Sequence, residues 1–505
     1  MSTRAQSDGG VAASKASPAR NTTYSVSLNG KSNFKDLDMS MTVDIEDTTA
    51  HATTIAESSQ DLTEQLIEMS LDETDTNALV DLEAEGCLPD ESSAVENEVQ
   101  ENSGIEIGAT VAYESYVIDE SDYFQYALVE LGRRLWKSTL DNQRYTKGCL
   151  WSPDGTCILV PVHLDGMHVM ELPQDLYKLN KDETVSTTRN VSALNTAVHV
   201  REGGTVYECV WYPFMNSNTP ATCCWLASRQ HEPIHMWDAF TGELRCTYRG
   251  YDNVDEVESA ISMIFSNDGE KVIGGYKKSI KLFDTNIPGR DTFSIPVKQA
   301  VSCFALTTDN DNTVTTGSWN GYINHYDLRV PKLGPLFTLG GHTGGITWLR
   351  YAALSISTDW TLFSGARMDN KILEWDMRNY TQPTRTYTRK VTTNQRIYFD
   401  LSPHEQRWLV SGSTDGNLHI WGIQNEAEEV LPLHDDCCNG ASFHPKFPIL
   451  ATSSGKHHCV STSDQEDSPK TQKEAEDIVV NYENSLMLWW IGKSPVDEVE
   501  INISE

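Results

Sequence analysis

The chain contains no run approaching about 18 consecutive apolar residues, so no segment reads as a membrane-spanning helix. Its opening, MSTRAQSDGG, lacks the apolar stretch of a secretory signal. Cysteine is sparse and scattered: eleven residues, adjacent pairs at Cys223-Cys224 and Cys437-Cys438, and no C-x-x-C. An odd number of cysteines within strand-like segments points to reduced, mostly buried thiols and a soluble protein of the cytosol or nucleus. Basic charge is also short, with 39 Lys+Arg against 73 Asp+Glu and a net charge of −34. No broad basic field exists to hold duplex nucleic acid nonspecifically, so a nucleic-acid partner has to be read by a local pocket. The glycines of LGGHTGGITWL (Leu339 to Leu349) are not followed by the Gly-Lys-Ser/Thr of a phosphate loop, and no nucleophile elbow or distinct carboxylate pair stands out. His457, His458 and Cys459 sit together, but their spacing from Cys437 and Cys438 matches no structural zinc pattern. No catalytic residue, metal, cofactor, small-molecule substrate or membrane contact is therefore expected.

The charge is unevenly distributed. Residues 1–120 hold about 5 basic and 25 acidic side chains, near −20, which leaves about −14 for the remainder. This Ser/Thr-rich, aromatic-poor stretch lacks the apolar area to offset the entropy of ordering, and it reads as a disordered acidic tail. Within it, Leu62, Leu66, Ile67 and Leu71 have roughly helical spacing.

Beyond the tail the chain repeats. HMWD, KLFD, NHYD, LEWD and HIWG begin at His235, Lys281, Asn324, Leu373 and His419, with a looser HVMEL at His168 and LMLWW at Leu486. From Trp237 to Trp421 the anchors are 46, 43, 49 and 46 residues apart. That period predicts an all-β fold: a seven-bladed WD-repeat β-propeller of four-stranded blades over residues 121–492. An outer strand from Tyr123 to Leu140 is expected to close the ring and remove an exposed edge. Turns such as WSPDG (Trp151 to Gly155) and FSNDG (Phe265 to Gly269) have hairpin chemistry. A polar, charge-rich insert over 455–484 interrupts the last blade, and 493–505 forms a short acidic C-terminal tail.

Two residue sets stand out. In the fifth repeat His342, Ser364, Asp369 and Trp375 occupy the positions of a strand-tying hydrogen-bond chain, a structural reading preferred to a catalytic triad. Aligning the tight turns six residues before each anchor places Arg229, Tyr276, Lys277, Trp319 and Arg367 around one opening of the ring. Guanidinium and aromatic planes suit stacked, unpaired bases with phosphate contact. The same residues also suit an acidic or arginine-bearing peptide.

Several segments resemble the telomerase Cajal body WD-repeat proteins over about residues 145 to 492. They include PIHMWDAFTGELR (Pro233 to Arg245), LGGHTGGIT from Leu339, SGARMDNKILEWDMR (Ser364 to Arg378) and VTTNQRIYFDLSP (Val391 to Pro403). LVSGSTDGNLHIW (Leu409 to Trp421), NGASFHPKFPILATSSG (Asn439 to Gly455) and the closing LWW also fit. The resemblance implies a nuclear, nonenzymatic RNA-binding scaffold, resident in Cajal bodies with some cytoplasmic pool. It would recognise the Cajal body box of H/ACA small Cajal body RNAs and, in some organisms, telomerase RNA, supporting telomerase assembly and telomere maintenance. The resemblance also implies H/ACA proteins such as dyskerin, coilin, the survival-of-motor-neurons complex and the folding chaperonin as partners. It adds Asn394, Gln395 and Arg396 to Arg229 and Arg367 as candidate RNA contacts. A WD-repeat peptide scaffold with no direct RNA contact is the alternative.

Overall fold

A computed structural model describes residues 120–139, 142–178, 185, 189–201, 204–308, 310, 312–352, 360–458, 479–480 and 482–493. The acidic tail up to residue 119, its leucine-spaced segment, Cys459, the centre of the insert and the tail after Lys493 lie outside the described residues.

The periodic anchors become strands because each repeat alternates apolar and polar residues between turns, which gives every blade two faces to bury. Seven blades result: six are four-stranded antiparallel sheets, and the seventh adds a fifth, two-residue strand, Ser192–Ala193, parallel to the closing strand at Gly132 and Arg133. In blade 2 the strands are Val206–Trp211, Cys224–Arg229, Ile234–Asp238 and Leu244–Tyr248. Blade 5 runs Ile346–Tyr351, Thr361–Ala366, Lys371–Asp376 and Arg385–Thr388. Blade 1 departs most from the pattern, since its inner strand is only Leu150–Trp151 and its outer strand, Thr196–Val200, follows a long connection.

The ring is closed by the N-terminal strand Val129–Leu135. It pairs antiparallel with Ser485–Trp490, aligning Val129 with Trp490 and Leu135 with Ser485, and so forms the outer strand of blade 7. Glu120, placed at the end of the tail from sequence, belongs to the propeller instead. It is fully buried, its carboxylate accepting from Ser402 Oγ (2.5 Å) and from the His404 N–H (2.7 Å), while Trp408 Nε1 donates to its carbonyl (2.9 Å). Such a carboxylate has to be inside, because it satisfies a turn whose donors would otherwise be orphaned.

The core is a set of layers between neighbouring blades. One joins Cys303, Ile323 and Leu339 of blade 4 to Ile346, Leu362 and Trp375 of blade 5, and another joins Leu131, Leu486 and Leu488 of blade 7 to Ile158 and Val160 of blade 1. Two turns show how blades are spaced. Gly155 (φ +78) and Gly269 (φ +70) adopt the left-handed region, and a Cβ there would lie 2.5 Å from His444 and 2.7 Å from Tyr212 respectively. The nine described cysteines are free thiols, eight of them buried.

Candidate nucleic-acid interface

In every blade the second-to-third-strand turn and the connection into the next blade emerge on one face of the ring. Blade 5 shows how that face is tied. The Arg367 N–H donates to Gly345 O (2.9 Å) and the Met368 N–H to Thr393 O (3.2 Å), so its turn is held by the loops on either side. Below it, His342 Nδ1 and Nε2 contact Asp369 Oδ2 (3.1 Å) and Ser364 Oγ (2.9 Å), and Trp375 Nε1 donates to Ser364 Oγ (2.8 Å). Burial works against the Asp369 charge, but the bonds from His342 and from the Thr343 and Lys371 N–H groups outweigh it and hold the carboxyl well below its usual range. A carboxylate, hydroxyl and imidazole saturated in this way fasten strands together.

Blade 7 carries a second such network that the sequence reading missed. His434 bonds Glu483 Oε1 (2.7 Å) and Thr452 Oγ1 (2.8 Å), and Trp489 Nε1 donates to the same hydroxyl (2.8 Å). Its signal was LHDD ahead of a strand, but the insert separates the acid from the second strand, and Glu and Thr replace the usual types.

The eight candidate contacts divide on this face. Lys277 and Trp319 line one groove of about 920 Å³ with Tyr207, His231 and Lys278. Trp319 is 49 % exposed, its backbone seated against Gly345, where any side chain would collide with it. Arg229 ends the strand before His231 and pairs with Glu232 at 3.3 Å. Asn394 is exposed on the loop that holds Met368, and Arg367 is half-buried.

The other three point elsewhere. Tyr276 is completely buried under the Gly250–Tyr251 strand, with the Lys281 amine 5.0 Å from its ring, and offers no face to a ligand. Gln395 donates to the Gly455 carbonyl (3.2 Å). Arg396 crosses the ring to meet Glu208 of blade 2 at 2.5 Å, donates to Tyr398 Oη (3.1 Å) and Ser302 O (3.2 Å), and lies 5.5 Å from the Trp348 ring centre. Burial opposes the charge on Arg396, and Glu208 with Tyr398 outweighs it, keeping the guanidinium protonated. Lys147 adjoins this pair, and burial together with Arg396 pulls its amine down to about 8. Tyr207, His231 and Lys278 are groove residues the sequence reading passed over; Tyr207 precedes the buried Glu208 on its strand, and alternation turns it outward.

Asp165, His168 and His199 also approach one another. The two imidazoles are stacked 4.2 Å apart at 15°, so their in-plane lone pairs run side by side, and His168 Nε2 already bonds Asp165 (3.0 Å). The arrangement is that of a hydrogen-bonded stack, and its lone pairs do not converge on a point where an ion would sit.

Seven closed blades, their histidine-centred ties and a groove at the turn face define a WD-repeat β-propeller. The WD domain, G-beta repeat family matches residues 396–422. The chain is 56 % identical over 391 residues to the Telomerase Cajal body protein 1 homolog of Drosophila melanogaster, covering 74 % of this chain and 70 % of that protein. To Telomerase Cajal body protein 1 of Homo sapiens it is 36 % identical over 404 residues, 75 % and 70 % of the two chains. A more distant likeness, 23 % over 294 residues, is to the Guanine nucleotide-binding protein negative regulator 1 of Schizosaccharomyces pombe, covering 55 % and 71 %. The chain belongs to the Telomerase Cajal body protein 1 family.

Proposed function

We propose that this propeller is a nonenzymatic nuclear scaffold that binds a single-stranded loop of small Cajal body RNA, the Cajal body box, and carries the particle to Cajal bodies. Telomerase RNA is a second cargo of the same site, and the H/ACA proteins travel with it. The relatives' names, which join telomerase to the Cajal body, support the setting. One observation carries the RNA reading: a half-exposed Trp319 shares a groove with Lys277 and Lys278. An indole stacks on an unpaired base of any identity, and two ammonium groups beside it suit adjacent phosphates. So few cations imply shallow salt dependence, a slope of about −1.4 in log association constant against log salt for two single-strand phosphate contacts.

Filter binding of the full chain to an H/ACA small Cajal body RNA tests this. Trp319→Ala and the pair Lys277→Glu, Lys278→Glu are each expected to weaken binding about tenfold, the scale of one lost stacking contact. Equal affinity for an RNA with its loop scrambled overturns the proposal.

The groove's other wall, with Asp252, Glu256 and Glu258, favours a second reading, a Lys- or Arg-bearing peptide with RNA held only by partners. Ultraviolet crosslinking of purified protein to naked RNA separates the two: no crosslink, with particle association intact, supports the peptide.

A further inference from the structure

Blades 4 and 6 turn from their second to their third strand through a glycine in the left-handed region, Gly321 (φ +84) and Gly416 (φ +85). Blade 2 makes the corresponding turn through His231, with φ +64. A side chain in that conformation crowds its own backbone, so glycine is the residue such a turn favours. Strain kept on an exposed residue that packing does not require points to function. Leu164 in blade 1 and Met368 in blade 5 share the conformation (φ +59 and +52) but do not line the groove that His231 lines.

The ring of His231 does not hold it there. The residue is exposed, and among the described residues its imidazole makes no hydrogen bond, ion pair or ring contact. The backbone around it is pinned instead. The Gln230 N–H donates to Thr205 O (3.1 Å), the Glu232 N–H to Arg229 O (3.4 Å), and Arg229 pairs with Glu232 at 3.3 Å. A fixed turn thus presents an imidazole with both nitrogens unspent.

His231 lines the groove of about 920 Å³ together with Tyr207, Lys277, Lys278 and Trp319. The acids on the other wall are partly spent: Asp252 Oδ1 accepts from the Val254 and Glu256 N–H groups (2.9 and 3.0 Å), and Glu258 Oε1 from the Lys277 N–H (3.3 Å). Trp319 can stack on a base and the two ammonium groups can meet phosphates, but neither contact tells one base from another. Base identity is read by hydrogen bonds to a base edge, and a neutral imidazole offers one donor and one acceptor. We propose that His231 is the specificity-determining residue of this groove, its ring nitrogens bonding the edge of an unpaired base. The proposal rests on the single-stranded RNA reading of the groove and adds how that RNA's sequence is recognised. The pinned turn fits the role, because the backbone that carries the ring is ordered before the RNA arrives.

Filter binding of the full chain to an H/ACA small Cajal body RNA, and to the same RNA with its loop scrambled, tests this. The quantity read is the ratio of the two affinities; both RNAs meet the same folded fraction, so the ratio is insensitive to stability. His231→Phe keeps a ring and removes both nitrogens, and it is expected to lower the ratio about tenfold, the scale of one hydrogen bond left unmade. His231→Gly, which suits the turn, loses the ratio as well while the melting temperature holds or rises, an outcome that a merely structural role does not produce. Trp319→Ala, by contrast, weakens both RNAs in proportion and leaves the ratio unchanged. The proposal is overturned on its own if the wild type discriminates between the RNAs and either His231 variant does so equally well. A wild type that binds both RNAs alike, or neither, overturns it together with the reading on which it rests.

Discussion

At the scale of single residues, identity and placement part company most sharply at Arg396. Its motif suggested a cation at the ring's rim, yet its side chain is spent on Glu208, 188 positions away in sequence. Because Glu208 is 6 % exposed, removing it leaves a buried guanidinium without a counter-charge. Glu208→Ala is expected to cost about 3–5 kcal/mol in urea denaturation, and adding Arg396→Met to recover most of it. Arg396→Ala alone should lower the melting temperature with RNA affinity per folded molecule unchanged; a loss of affinity without destabilisation would instead make it a contact. Tyr276 teaches the same lesson with the opposite polarity. The turn alignment placed it correctly, but the neighbouring strand at Gly250 covers it. Trp319, one blade on, has no such cover and stays open.

At the scale of elements, two buried histidines, His444 and His168, are neutral in the fold. His444 shows why. Its Nε2–H donates to Gly155 O (2.8 Å) while Nδ1 accepts from the Lys446 and Phe447 N–H groups (3.0 and 2.9 Å), so a second proton has no place. Burial pushes His444 down to about 3, and burial with His199 nearby pushes His168 to about 4. A depressed histidine contributes stability that is complete above its unfolded value of 6.5 and is lost as pH falls toward the folded value. Each therefore removes up to about 1.4 kcal/mol per pH unit between pH 6.5 and about 4. Below that, Glu483, held at about 2 chiefly by His434 against the cost of burial, adds a loss beginning near its ordinary 4.5. Urea midpoints measured from pH 7 to pH 5 should fall steadily, and the slope should flatten in a His168→Gln, His444→Gln variant. The anchors, 43 to 49 residues apart, and the blade 5 tie were readable because both are local patterns set by strand alternation. The blade 7 tie was not, since the insert moves its acid out of the expected spacing.

At the scale of the whole molecule, stability is shared among layers between blades, and closure decides whether those layers exist together. Val129–Leu135 reaches its partner strand across some 350 residues of chain, an entropically slow pairing that makes every other interface cooperative once formed. Leu131 is fully buried in the layer that joins blade 7 to blade 1. Leu131→Ala should cost about 2–5 kcal/mol and shift a single calorimetric transition. Two separated transitions would show that the blades melt independently and that closure does not couple them. The two faces of the closed ring carry different chemistry, a groove with Lys277, Lys278 and Trp319 on one and the clamped Asp327–Arg329 and Asp376–Arg378 pairs on the other.

The sequence by itself determined the repeat, the blade-forming strands, the turn face on which Lys277 and Trp319 lie, and the family, because each is written in residues close together in the chain. Only the tertiary structure decided which turn residues face solvent, that Glu120 belongs to the ring, and that Arg396 reaches across to Glu208 of blade 2. Those outcomes depend on what a neighbouring blade places over or opposite a side chain. Blades that meet across the axis or at ring closure come from positions hundreds of residues apart, where no local pattern records the encounter.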